Sequence, residues 1–80
     1  MVNHISWSDN MNLKEAIPER EYIIKNIVTD DEELNAFLFS LGCYQGEKIT
    51  VISHLKGGSI VSVKDGRYNI DDGLAAAIEI

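Results

Sequence analysis

The fold is decided by residues 38–51, LFSLGCYQGEKITV, where a helix gives way to a strand. Apolar residues around the start of this stretch recur at the i, i+3, i+4 and i+7 spacing of a single helix face. They are Leu34, Phe37, Leu38 and Leu41. Gly42 follows at once, and glycine readily takes the left-handed conformation that ends a helix. From residue 48 to residue 55, apolar and polar residues alternate, which predicts a half-buried strand.

The acidic run at residues 30–33 is predicted to cap this helix. Thr29 and Glu32 have the spacing of a capping box, in which the two side chains accept hydrogen bonds from backbone N–H groups at the helix start. The carboxylates of Asp30 and Asp31 also suit the positive end of the helix dipole. Because these roles account for the acidic residues, we interpret the run as a solvated cap and not as a metal site.

Upstream of the helix, the sequence predicts one helical turn and one strand. Residues 13–16 have the composition of a single turn, which ends before Pro18 because the residue before a proline is pushed out of the helical region. Residues 21–28 are rich in Ile, Tyr and Val and alternate only roughly. We interpret them as the first strand, with a bulge that breaks the alternation.

Downstream, a hairpin and a short terminal segment are predicted. Residues 56–59 turn the chain, and strands at residues 60–64 and 67–70 then flank Asp65-Gly66. This dipeptide is favoured in type I′ turns because both central positions take positive φ. A short helical turn and a brief strand follow the break at residues 71–73. The chain is therefore mainly β, with about five short strands whose edges are best protected by closing into a small barrel.

Composition and charge exclude several classes of function. The 80 residues, 45% hydrophobic and 25% charged, are ordinary for one small globular domain. A net charge of -6 would repel a phosphate backbone, so no nucleic-acid partner is expected. No run reaches the roughly 18 apolar residues that a membrane span needs, so no direct membrane insertion is expected.

The single cysteine and the N-terminal stretch favour a cytoplasmic location. Cys43 is the only cysteine and cannot form an internal disulfide, which fits a reducing compartment. Residues 1–10 show no sustained period and no apolar signal region, so we expect a flexible tail there and the domain at residues 11–80. Trp7 lies in this tail, where it is either mobile or docked on the barrel or on another copy.

The same central stretch resembles the ferrous iron transport protein A (FeoA) family. Leu38-Phe39-Ser40-Leu41-Gly42, Gly46, Ile49 and Val51 are similar to the family's L-x-x-L-G-x-x-x-G-x-x-[VI]-x-V run. Further pieces follow in the family's order, and these are Ile60-Val61-Ser62-Val63, Gly66-Arg67, Ile70 and the ending Ala75-x-x-Ile78-x-Ile80. The resemblance covers about the last 70 residues.

This resemblance implies both a fold and a function. The fold is an SH3-like β-barrel with one helix inserted between strands 1 and 2 and a short C-terminal helical turn. The function is that of a non-catalytic accessory protein of ferrous iron transport, which acts by contact with the cytosolic part of the membrane transporter FeoB. The alternative is a regulatory module, because metal-dependent repressors of the diphtheria toxin repressor type carry a similar SH3-like domain.

No catalytic, cofactor or metal site is predicted within one chain. Cys43, His4 and His54 match no nucleophilic signature and are too few for a four-ligand zinc site, so we expect a packed cysteine and a bare surface His54. The expected cofactor is therefore none. Weak iron(II) or zinc(II) binding, or a site built between chains of a homo-oligomer from these three residues, remains open.

The predicted partner-binding residues come from helix geometry. At about 100° per residue, Phe39 lies nearly opposite the apolar stripe and is expected to be exposed. It is then either a tolerated surface residue or an anchor for a partner, since aromatic anchors often dominate interface energies. Tyr44 and Leu55, near the strand entry and the hairpin, are the next candidates.

Overall fold

The computed structural model describes residues 11–80, so the predicted tail, with His4 and Trp7, lies outside the described residues. The elements in chain order are a 3-10 turn (Leu13–Glu15), β1 (Glu21–Ile23), β2 (Asn26–Ile27), α1 (Glu32–Leu41), β3 (Lys48–Leu55), β4 (Gly58–Val63), β5 (Gly66–Asp71), α2 (Asp72–Ala77) and β6 (Ile78–Glu79). Antiparallel strands form a sheet of order β1-β3-β4-β5, and β2 pairs with β6 in a second sheet. This mainly-β architecture, with α1 ahead of β3 and a short C-terminal helix, confirms the predicted fold class.

The predicted first strand is divided into β1 and β2, which belong to different sheets. At the division, the Ile24 N–H donates to Glu47 O and the Gly46 N–H donates to Ile24 O, both at 2.8 Å. The next residue, Lys25, donates its N–H to Glu79 O at 2.7 Å. The chain therefore passes from one sheet to the other here, which explains why its alternation was only rough.

A β-bulge in β3 changes which residues face the core. The register with β4 shifts between Val51 and Ser53, so Ile52 is the extra residue. Ile49 and Val51 are buried as the alternation predicted, but Leu55 on the same predicted face is 45% exposed. The bulge turns Leu55 away from the face of Ile49 and Val51, because one inserted residue reverses the faces beyond it, and at this end of β3 His54 is exposed as well.

The β4–β5 turn is displaced by one residue from its predicted position. Val63 pairs with Gly66, so the two loop residues are Lys64 and Asp65. Lys64 takes the positive φ, at 52°, and Gly66 belongs to β5. The predicted Asp65-Gly66 turn is therefore wrong in register. A Cβ added at Gly66 would collide with the phenol of Tyr68, so the Tyr68 side chain would have to shift to accept any larger residue there.

Helix α1 ends where predicted but begins differently. Its N-cap is Asp31, whose carboxylate accepts hydrogen bonds from the N–H groups of Glu33 and Leu34. Thr29 accepts instead from the Asp31 N–H at 3.1 Å, so the predicted Thr29–Glu32 capping box is wrong by two residues. The helix stops at Gly42, which has φ 95°, and this confirms the predicted left-handed end.

The core lies between the two sheets, the 3-10 turn and α2. Its fully buried side chains include Leu13, Ile24, Leu38, Ile49, Val51, Val61, Val63, Ile70 and Ile78. Only Leu38 comes from α1, while Leu34 and Leu41 are half-buried and Phe37 is 49% exposed. The prediction that all four stripe residues face the core is therefore wrong for Phe37, because α1 packs against the core mainly through Leu38. Within residues 11–80, no helix has the length and apolar character of a membrane span.

Candidate interaction surface

Phe39 and Tyr44 form an exposed aromatic pair at the C-terminal end of α1. Phe39 is 65% exposed, which confirms the predicted exposure. Its ring lies 5.0 Å from that of Tyr44, centroid to centroid, with the ring planes tilted by 36°. The centroid distance is within the range at which aromatic rings attract each other. The reversal of the chain at Gly42 brings them together, since it returns residue 44 toward the last helical turn.

Lys64 reaches this pair from the β4–β5 turn. Its Nζ lies 5.3 Å from the centroid of the Tyr44 ring and 2.7 Å from Oε1 of Glu47. The Glu47 carboxylate is the main reason why the pKa of Lys64 is raised above its usual value, and Tyr44 adds to the effect. Lys64 therefore remains a cation at any physiological pH and faces the ring as one.

These residues border a surface groove between the helix end and the β4–β5 hairpin. One wall is built from Phe39, Ser40, Leu41, Gly42 and Tyr44, and the other from Lys64, Asp65, Gly66 and Tyr68. We call this the aromatic groove. Three rings lie along it, with one cation and one carboxylate at the turn, so the groove offers apolar contact area with a polar border.

Two of the three predicted partner-binding residues lie in the aromatic groove. Phe39 and Tyr44 are adjacent there, whereas Leu55 is not part of it. Leu55 pairs with Gly58 beside the β3–β4 turn, at the opposite end of that hairpin from the Ile49–Val63 pair. Lys64 and Tyr68 were missed, because their place in the groove depends on strand register, and no local sequence signal points to it.

His54 is exposed, as predicted for a surface residue, but it is not bare, because both of its ring nitrogens have hydrogen-bond partners. Its Nε2 lies 2.7 Å from Ala16 O and its Nδ1 lies 3.0 Å from Ser59 Oγ. A carbonyl oxygen only accepts, so Nε2 carries a proton and donates it. The Ser59 hydroxyl is only 1% exposed, out of reach of a substrate. His54 therefore fastens the segment after the 3-10 turn to the β3–β4 hairpin.

Cys43 is packed in the core. Its side chain is 1% exposed, and burial raises the pKa of the thiol to about 11. A protonated, buried thiol is a poor nucleophile and a poor metal ligand. Among residues 11–80, no three Cys, His, Asp or Glu side chains are grouped closely enough to hold a metal ion. His4 lies outside the described residues, so a site built between chains stays a prediction.

Comparison with known families decides the relationship of this chain. Residues 11–80 match the family model for the FeoA domain. The chain belongs to the FeoA domain family. A comparison with curated proteins gave no match. The FeoA family is an accessory or regulatory family associated with ferrous iron transport, so the expected family and its general functional context are confirmed.

Three solved structures illustrate the likeness. An iron uptake regulatory protein, FeoA, is 31% identical with a TM-score of 0.74, and the match covers 82% of this chain and 88% of that one. Stenotrophomonas maltophilia FeoA complexed with zinc, described as a prokaryotic SH3 domain protein, is 16% identical with a TM-score of 0.74 over 85% and 86% of the two chains. T. acidophilum IdeR is 25% identical with a TM-score of 0.76, over 85% of this chain but only 32% of IdeR. The SH3-like fold is thus shared by FeoA proteins and by part of IdeR.

Proposed function

We propose that this FeoA-family chain is a non-catalytic accessory protein of ferrous iron transport, which acts in the cytoplasm by contact with the cytosolic part of the membrane transporter FeoB. The contact surface is the aromatic groove. The observation that carries this proposal is the exposed Phe39 ring, which is 65% accessible and packs at a tilt against the Tyr44 ring at the rim of a groove. An exposed aromatic side chain of this kind can serve as one of the few anchors that dominate the energy of a protein interface.

The chemistry of the described residues also favours contact over catalysis. The Cys43 thiol is buried and protonated, and the Ser59 hydroxyl beside His54 is buried as well. A binding role needs neither of them. It needs an exposed anchor whose loss does not damage the fold, and Phe39 fits because most of its surface remains accessible in the free chain.

The test compares two phenylalanines of the same helix. Phe39→Ala should weaken binding of the cytosolic part of FeoB by about 2 kcal/mol or more, roughly 30-fold, in calorimetry, because a central aromatic anchor is lost. Phe37→Ala is the matched control, since Phe37 is 49% exposed on α1 but does not border the groove. Equal effects of the two substitutions, or no effect of Phe39→Ala on binding, would contradict the proposed surface.

A second candidate is a regulatory module for a metal-dependent repressor. It is favoured by the fold likeness to part of IdeR. The two functions differ in what deletion of the gene does in the cell. Under our proposal, deletion lowers ferrous iron uptake and leaves iron-responsive transcription unchanged. Normal uptake with altered transcription would favour the repressor module instead.

A further inference from the structure

We infer that Lys64 is a positioning residue for the aromatic groove. It holds the Tyr44 ring, and through that ring the Phe39 ring, in the arrangement that a partner binds. The effect of Lys64 on partner binding rests on the proposed function, whereas its contacts with Tyr44 and Glu47 are present in the free chain. Lys64 joins two segments that are distant in sequence, because it lies in the β4–β5 turn and contacts Gly42, Tyr44 and Glu47 in the connection between α1 and β3.

The backbone conformation of Lys64 does not favour a lysine at this turn position. Its φ is 52°, in the left-handed region that glycine and asparagine enter at less cost than lysine. A turn selected only for its backbone would favour one of those residues. The lysine side chain does make contacts that a smaller residue would lack, with Gly42, Tyr44 and Glu47.

The aliphatic part of Lys64 packs over the helix end. A Cβ added at Gly42 would lie 3.0 Å from both Cδ and Cε of Lys64, closer than ordinary van der Waals contact. The lysine stem thus covers the point where α1 reverses. Gly42 is favoured there by its positive φ, and a Cβ at this position would also force the Lys64 stem to shift by a few tenths of an ångström.

The ammonium group fixes the aromatic pair. It lies 5.3 Å from the centroid of the Tyr44 ring, so this ring has both the Lys64 ammonium and the Phe39 ring as neighbours. The same ammonium group pairs with the Glu47 carboxylate at 2.7 Å. The Lys64 and Glu47 side chains are 48% and 30% exposed, and such exposed ion pairs contribute little to folding stability. Their effect is instead to restrict the Tyr44 ring, which lowers the ordering cost of binding.

The first test uses the free protein. Lys64→Met keeps an unbranched apolar stem over Gly42 but removes the charge, so nuclear Overhauser contacts between the Phe39 and Tyr44 rings should weaken, with little change in melting temperature. Lys48→Met is the matched control: it makes the same change at an exposed lysine that has no contact with Tyr44 in the described part of the chain. Unchanged ring contacts in Lys64→Met would overturn the inference.

The second test measures binding to the cytosolic part of FeoB. Lys64→Met should weaken binding about fivefold through lost preorganisation, while Lys48→Met leaves it unchanged. Glu47→Gln, which keeps the lysine but removes its ion-pair partner, should have a smaller effect in the same direction. If Phe39→Ala weakens binding and Lys64→Met does not, the positioning role is wrong and the surface stands. If Lys64→Met disturbs the rings but neither variant alters binding, the proposed function fails and the structural role of Lys64 remains.

Discussion

The two helices differ in how they use their residues, and the difference explains where the candidate surface lies. Helix α1 has ten residues, and only Leu38 is fully buried. Helix α2 has six, with Ala75 and Ala77 buried and with contacts to the 3-10 turn, β4 and β5. The helix with the stronger apolar pattern is therefore the less buried one. Its aromatic side chains remain available to a partner, while the short alanine-rich helix packs closely into the core.

The largest expected effect is the loss of the one side chain that anchors α1. Leu38→Ala should lower the free energy of unfolding by about 2 to 5 kcal/mol, because it leaves a cavity at a fully buried position. Leu41→Ala, at a half-buried position of the same helix, should cost about 1 kcal/mol. Urea denaturation measures both, and similar losses would mean that α1 is attached through a broader face.

Overpacking α2 is the corresponding test of the other helix. Ala75→Leu should cost about 1 to 3 kcal/mol, since Ala75 is 0% exposed and a larger side chain must displace its neighbours. Ala76→Leu places the same side chain on the exposed face of α2 and serves as the control. A stable Ala75→Leu protein would show that α2 is as loosely attached as α1.

The junction after α1 should weaken at high pH through Cys43. Burial raises the pKa of this thiol from 9.0 to about 11, so the folded chain holds the proton more tightly than the unfolded chain. The resulting stability is complete below pH 9 and is lost as the pH rises toward 11, by about 2 kcal/mol. Cys43→Ala should lack this part of the decline. Parallel stability curves for the two proteins from pH 8 to pH 11 would contradict the prediction.

The smallest effect is expected at Phe37. Phe37→Ala should lower the free energy of unfolding by about 1 kcal/mol or less, because about half of the side chain is exposed and no cavity is left in the core. Urea denaturation of the variant and of the unsubstituted protein measures this difference. A decrease in the free energy of unfolding as large as that of Leu38→Ala would mean that Phe37 packs against the core, as the sequence pattern predicted.

How much of this protein could be predicted from its sequence depends on the range of the interactions involved. The end of α1 at Gly42, the existence of β3 to β5 and the exposure of Phe39 follow from short-range rules, since periodicity and a left-handed stop act within a few residues. The start of α1 and the β4–β5 turn were misplaced by one or two residues. Several residues in each region suit those positions. Strand pairing selects the turn residues, and the hydrogen bonds of the Asp31 carboxylate select the start of α1.

The sequence by itself determined the family, the main elements and the face of α1 on which Phe39 lies. Motifs indicate the family, and local periodicity indicates the elements and the helix face. Only the tertiary structure decided that Phe37 is exposed, that β3 has a bulge, and that His54 bonds to Ala16 and Ser59. It also decided that Lys64 reaches Tyr44 and Glu47. The physical reason is that a periodic pattern shows which side chains share a face, whereas the width of the covered face and the partners across it depend on how distant segments pack.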